Sequence, residues 1–172
     1  MLGMRDAQLH DWLERQIEEA RALTAQSDRF DLVAMEDGDS PPTRFVLDFC
    51  CTSLVRHSAT ASISECSRAG FGVWFHPEYL RVAKPMETMT ALGPAQLFHP
   101  NIRFPFVCLG RLQAGTPLVD IIYQTYEILT FQKYATHDAL NPAACSWARR
   151  NPERFPVDDR PLKRVPVAEE SS

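Results

Sequence analysis

The residues best equipped for chemistry stand close together in one stretch, Phe98 to Leu112, which reads FHPNIRFPFVCLGRL. His99, Pro100 and Asn101 form a triplet, and Cys108 follows Asn101 by seven positions. A cysteine thiol can attack an acyl carbon, and the reaction then needs a hydrogen-bond donor for the oxyanion that develops. A side-chain amide serves where no backbone hole exists, so Asn101 and Cys108 make a functional pair if the segment between them folds back on itself. His99 and His137 could act as a base. The other cysteines, Cys50, Cys51, Cys66 and Cys145, show neither a CxxC pair nor metal-ligand spacing, and read as small packing residues. No metal and no cofactor is expected. Five cysteines are an odd number, which fits free thiols in a reducing compartment.

The elements that must position these residues follow from periodicity. Residues 4–25 place Leu9, Leu13, Ile17, Ala20 and Leu23 at steps of three and four, the pattern of an amphipathic helix. A short strand is expected within Asp28–Asp37, ended by the turn residues Gly38-Asp39-Ser40-Pro41-Pro42. From Thr43 to Arg56 the odd positions Phe45, Leu47, Phe49, Cys51 and Val55 are apolar, which predicts one long strand. Ala59–Arg68 reads as a weaker strand or a loop, Phe71–Phe75 as a further strand and Met86–Leu92 as a fourth. Connections this short require antiparallel neighbours, so the set forms a meander. Beyond Cys108, Thr116 is expected as the N-cap and Pro117 as the first residue of a core helix carrying Leu118, Ile121, Ile122, Thr125, Ile128 and Leu129. Asn141-Pro142 repeats the signature and opens a shorter helix, Ala143–Arg150. The fold class expected is α+β, with helices segregated from one antiparallel sheet of about four strands.

Length and composition limit the rest. A chain of 172 residues holds one good core, and one domain is expected over residues 1–155, with an irregular tail at 156–172 rich in proline and charge. A net charge of −4 with no dominant basic face argues against nucleic acid, and the arginines and lysine of 149–164 read as a solvated stretch. No apolar run reaches signal-peptide or membrane-spanning length, so a cytoplasmic location without membrane attachment is expected. Of the 18 basic residues only Lys84, Lys133 and Lys163 are lysine, a bias that fits a GC-rich bacterial genome. It would also suit an enzyme carrying an acyl group destined for lysine.

The order of elements together with the motifs resembles the ubiquitin-conjugating fold over roughly residues 5–150. Phe75-His76-Pro77-Glu78-Tyr79 with Pro85 is similar to the family's proline-rich segment, and Phe98-His99-Pro100-Asn101-Ile102 matches its His-Pro-Asn triplet and neighbours. Cys108-Leu109 with Leu112 matches the catalytic-cysteine region. Thr116-Pro117 resembles the Ser-Pro helix start, and Asp138-Ala139-Leu140-Asn141 the Asp-Pro-Leu stretch bordering the active site. The Asn101–Cys108 spacing is one residue shorter than usual, Gly110 replaces an acidic residue, Gly115 falls near a usual tryptophan, and two C-terminal helices are reduced to one. These departures resemble the divergent bacterial members encoded in ubiquitin-like conjugation operons linked to phage defence.

The resemblance implies a transferase that accepts ubiquitin or a ubiquitin-like modifier as a thioester on Cys108 and passes it to an amine, usually lysine. Asp138 would orient the incoming ammonium and receive its proton, Leu140 and His137 would contact the substrate chain, and Asn101 would steady the oxyanion or hold the loop. His99 and Pro100 would be structural. The partners implied are the modifier, an activating enzyme, and a ligase or deconjugating protease of the same operon. A catalytically inactive conjugating-fold scaffold is the alternative, and an unrelated cysteine hydrolase using His99 or His137 is a further rival.

Overall fold

The computed structural model of the protein describes residues 4–164. It is a mixed α+β arrangement: an N-terminal helix, an antiparallel sheet, and helices packed on one face of that sheet. Helix α1 (Met4–Ala25) buries the expected stripe of Leu13, Ile17, Ala20 and Leu23 against the sheet and the later core helix. Strands β1 (Phe30–Asp37) and β2 (Ser40–Phe49) form a hairpin whose turn passes through Gly38 at φ +75°, a conformation that favours glycine. Strand β2 alternates buried Phe45, Leu47 and Phe49 with outward Arg44, Val46 and Asp48.

The long strand expected over Thr43–Arg56 is divided. The Cys50 N–H on the Arg29 carbonyl at 2.7 Å is the last bond between the two strands; beyond it the chain leaves the sheet, and the N–H of Thr52 goes to the Asp158 carboxylate at 2.8 Å. A separate two-stranded ladder follows, β3 (Ser53–Val55) with β4 (Ser64–Cys66). Strand β5 (Ala69–Trp74) returns to the main sheet. The strand expected at Met86–Leu92 begins instead with a single helical turn, α2 (Pro85–Thr88), in which the Thr88 hydroxyl donates to the Lys84 carbonyl; β6 (Met89–Gly93) follows. Two short strands, β7 (Ile102–Arg103) and β8 (Phe106–Val107), complete a six-stranded antiparallel sheet in the order β1-β2-β5-β6-β8-β7.

Helix α3 (Leu118–Leu129) crosses the inner face and buries Leu118, Ile121, Ile122, Tyr126, Ile128 and Leu129. Its start differs from expectation. Pro117, in extended conformation, occupies the cap position, while the Thr116 hydroxyl closes a turn with Gln113. The N–H of Leu118 is satisfied from outside the helix, by Gln16 Oε1 of α1 at 3.0 Å. Helix α4 (Pro142–Arg150) is capped as its sequence predicts: Asn141 Oδ1 accepts from the N–H of Ala144 at 3.1 Å.

Residues 156–164, expected as part of an irregular tail, have no regular element but are tied to the body. Leu162 sits in the core, and its carbonyl accepts from the Ser27 hydroxyl. Val157 donates to the Thr130 carbonyl, Arg164 to that of Gln26, and the Tyr126 hydroxyl to that of Arg160 at 2.6 Å. Residues 165–172 of that expected tail lie outside the described residues. Among the described residues, no helix is long and apolar enough to cross a membrane.

Candidate active site

The hairpin β7–β8 brings the motif residues together. Ile102 pairs with Val107 and Arg103 with Phe106, so the chain turns at Phe104-Pro105 and sets Cys108 beside Asn101. The Cys108 N–H donates to the Asn101 carbonyl at 2.9 Å, and Asn101 Nδ2 donates back to the Cys108 carbonyl at 2.9 Å. Asn101 Oδ1 in turn accepts from the N–H of Ala135 at 2.8 Å. One carboxamide therefore bolts the cysteine segment to the loop that follows α3. A second tie lies one residue earlier, where the Asn141 N–H donates to the Pro100 carbonyl at 3.1 Å. Both ends of the 135–141 loop are thus held against the triplet.

The triplet itself stands on an aromatic floor. His99 is 1% exposed and its ring lies 4.2 Å from that of Phe131, which stacks on Phe155 at 4.6 Å. Phe131 has φ 58°, a strained position for a bulky residue, held by this packing on both sides. His99 Nδ1 accepts from the Asn101 N–H at 2.9 Å, which assigns the neutral imidazole proton to Nε2. Burial pushes the imidazole down to about 3, partly offset by the backbone of Lys133 and Ile128. Nε2 is buried and has no hydrogen-bond partner among the described residues. A ring so enclosed orients the Asn101 backbone and has no route to the thiol as a base. Pro100 is likewise buried.

Cys108 is half-buried and Leu109 closes over the core beside it. Next to them is a depression of about 340 Å³ lined by Asn101, Leu109, Gly110, Gln124, Ile128 and Tyr134. Gly110 takes φ +86°, which keeps the chain after the cysteine open. His137 and Asp138 are exposed on the 135–141 loop, and Leu140 is half-buried there. Asp138 adopts φ 50°, and its carboxylate has no hydrogen-bond or ion-pair partner among the described residues. A hollow of about 530 Å³ between α1 and the β1–β2 turn is lined by His10, Glu14, Arg21 and Glu36 and by none of these residues. Among the described residues, no three histidine, cysteine or acidic side chains are placed to hold a metal ion.

The proline-rich segment packs at the start of α3, at the opposite end of that helix from the 135–141 loop. Phe75 and Tyr79 pack at 4.7 Å under Trp12 of α1, and the Tyr79 hydroxyl donates to the Thr116 carbonyl at 2.9 Å. Sequence reasoning did not single out Gln16, Ala135 or Phe155. Gln16 left a signal, a polar residue within the apolar stripe of α1; Ala135 acts through its backbone and left none. Comparison with models of known protein families and with curated proteins finds no match for the chain.

Proposed function

We propose that this chain has the ubiquitin-conjugating fold and acts as a divergent conjugating enzyme, carrying a ubiquitin-like modifier as a thioester on Cys108. The observation that carries this reading is the Asn101 carboxamide bridge between Cys108 and Ala135. That bridge holds the backbone of the cysteine segment against the 135–141 loop, which carries His137, Asp138 and Leu140. In the first step Cys108 Sγ attacks the thioester carbonyl on the activating enzyme, and that enzyme's thiol leaves. In the second an amine attacks the new thioester, the Cys108 thiolate departs, and the amine's proton passes to a base. Asp138 supplies that base or orients the ammonium, and Leu140 and His137 contact the acceptor chain. One amide hydrogen of Asn101 is spent on the Cys108 carbonyl. The other has no acceptor among the described residues and is free to meet the oxyanion.

The test uses the full chain with a ubiquitin-like modifier, its activating enzyme and ATP. The expected product is an adduct on a non-reducing gel that thiol reductant removes. Cys108→Ala loses it, and Cys108→Ser converts it to a reductant-resistant ester. Failure to form the adduct beside a demonstrably charged activating enzyme overturns the enzyme reading and leaves a conjugating-fold scaffold in its place.

A further inference from the structure

The solvent face of the main sheet is apolar at its centre and charged at its two margins, in an order that is complementary to itself. Reading across the strands, the registers place Val33, Val46, Gly72, Thr90 and Phe106 in one outward row. Val33 is 57% exposed, Phe106 48% and the neighbouring Leu92 51%, and the hollow among Val46, Gly72, Trp74 and Leu92 is almost wholly apolar. On one side of this row lie Met35, Arg44 and Trp74; on the other lie Asp31, Asp48 and Gly70. Arg44 spreads over the Trp74 ring at 5.6 Å and has no carboxylate partner among the described residues. Asp48 engages Arg68 through one carboxylate oxygen only.

We propose that this face packs against the same face of a second copy of the chain. The two-fold axis lies in the plane of contact, at right angles to the strands and along the Val46 row. That operator reverses strand direction while stacking each strand on its own counterpart. Three juxtapositions follow from it together. Arg44 of one protomer meets Asp48 of the other, the bulky Trp74 meets the space above Gly70, and the apolar row stacks on itself. An axis parallel to the strands and along β2 would instead set Arg44 on Arg44 and Asp48 on Asp48. Charge thus selects between these two operators. Contacts of this kind are isologous and closed, so the assembly stops at a dimer.

The experiment is sedimentation velocity of the full chain over about 1–500 µM, with two charge-swap variants. The wild-type chain shifts from monomer to dimer. Arg44→Asp places two carboxylates in opposition and Asp48→Arg two guanidinium groups, so each variant alone stays monomeric. Mixed in equal amounts, they restore opposite charges at both contacts and regain the dimer. A wild-type chain monomeric throughout overturns the proposal, as does a dimer indifferent to either swap. A wild-type chain that stays monomeric but co-sediments with an added ubiquitin-like modifier through this face gives the surface to that partner instead. The readout does not depend on Cys108 chemistry, so it stands or falls separately from the conjugating-enzyme reading.

Discussion

Asn101 and His99 share the triplet but contribute in different ways. The Asn101 side chain makes its two bonds to backbone groups, the Cys108 carbonyl and the Ala135 N–H. Asn101→Ala should therefore cost about 2–4 kcal/mol in denaturant melts, since two backbone groups lose their partner. It should also slow discharge of a preformed thioester by about 10²–10³; a near-normal rate would remove Asn101 from the chemistry. His99 contributes as a buried neutral ring that accepts from the Asn101 N–H. Its folded imidazole titrates near 3 while an unfolded one titrates near ~6.5, so between those values only the unfolded chain takes up the proton. Stability should fall as pH drops through that window, by up to about 1.4 kcal/mol per pH unit from this residue. His99→Asn keeps an acceptor for the Asn101 N–H and should flatten the dependence. An unchanged slope in that variant would show that His99 is not its source. That Asn101 and Cys108 lie side by side was legible in the sequence on the condition that the span between them folds back, and the β7–β8 hairpin is that fold-back. The partner of Asn101 Oδ1 was not, because it is the backbone N–H of Ala135.

At the level of elements, the helix starts show where local signals hold and where they yield. Asn141-Pro142 predicts its own cap, and Asn141→Ala should destabilise the protein by about 1 kcal/mol. Thr116-Pro117 carries a similar signature, yet Pro117 takes the cap position and Gln16 of α1, 102 residues earlier, satisfies the N–H of Leu118. A tertiary bond has replaced a local one, and no window of sequence around Thr116 contains it. Gln16→Ala leaves a buried N–H unpaired and should cost about 1–3 kcal/mol by thermal or chemical melts, more than the Asn141 cap. The strand break at Cys50–Thr52 has the same origin. The alternation through Cys51 and Val55 is genuine, since both are buried, but Asp158 captures the Thr52 N–H and ends the pairing. These two misread boundaries follow from partners distant in sequence, whereas α1, whose face is set by its own periodicity, was legible to the residue and β1 and β5 to within two residues.

For the molecule as a whole, the segment after α4 is structural. Burial alone would raise the Asp158 carboxyl, but the Arg160 guanidinium and the N–H groups of Thr52 and Arg160 outweigh it and hold the group down at about 2. Its stabilising contribution is complete above the unfolded value near ~3.9 and is lost as pH falls toward 2. Asp158→Asn should remove that lowest part of the acid transition and leave the His99 window untouched, as measured by denaturation at stepped pH. Leu162→Ala should cost about 2–5 kcal/mol, and a chain ended at Phe155 should lose cooperative unfolding.

The bonds from Ser27 to Leu162 and from Gln26 to Arg164 also set an order in time. Residues 26 and 27 leave the ribosome well before residues 162–164 are made, so the end of α1 stays unsealed through the synthesis of everything between them. Strands β1 and β2 can cover part of the α1 stripe as soon as they emerge, but the seal at its end closes only with the segment that follows α4.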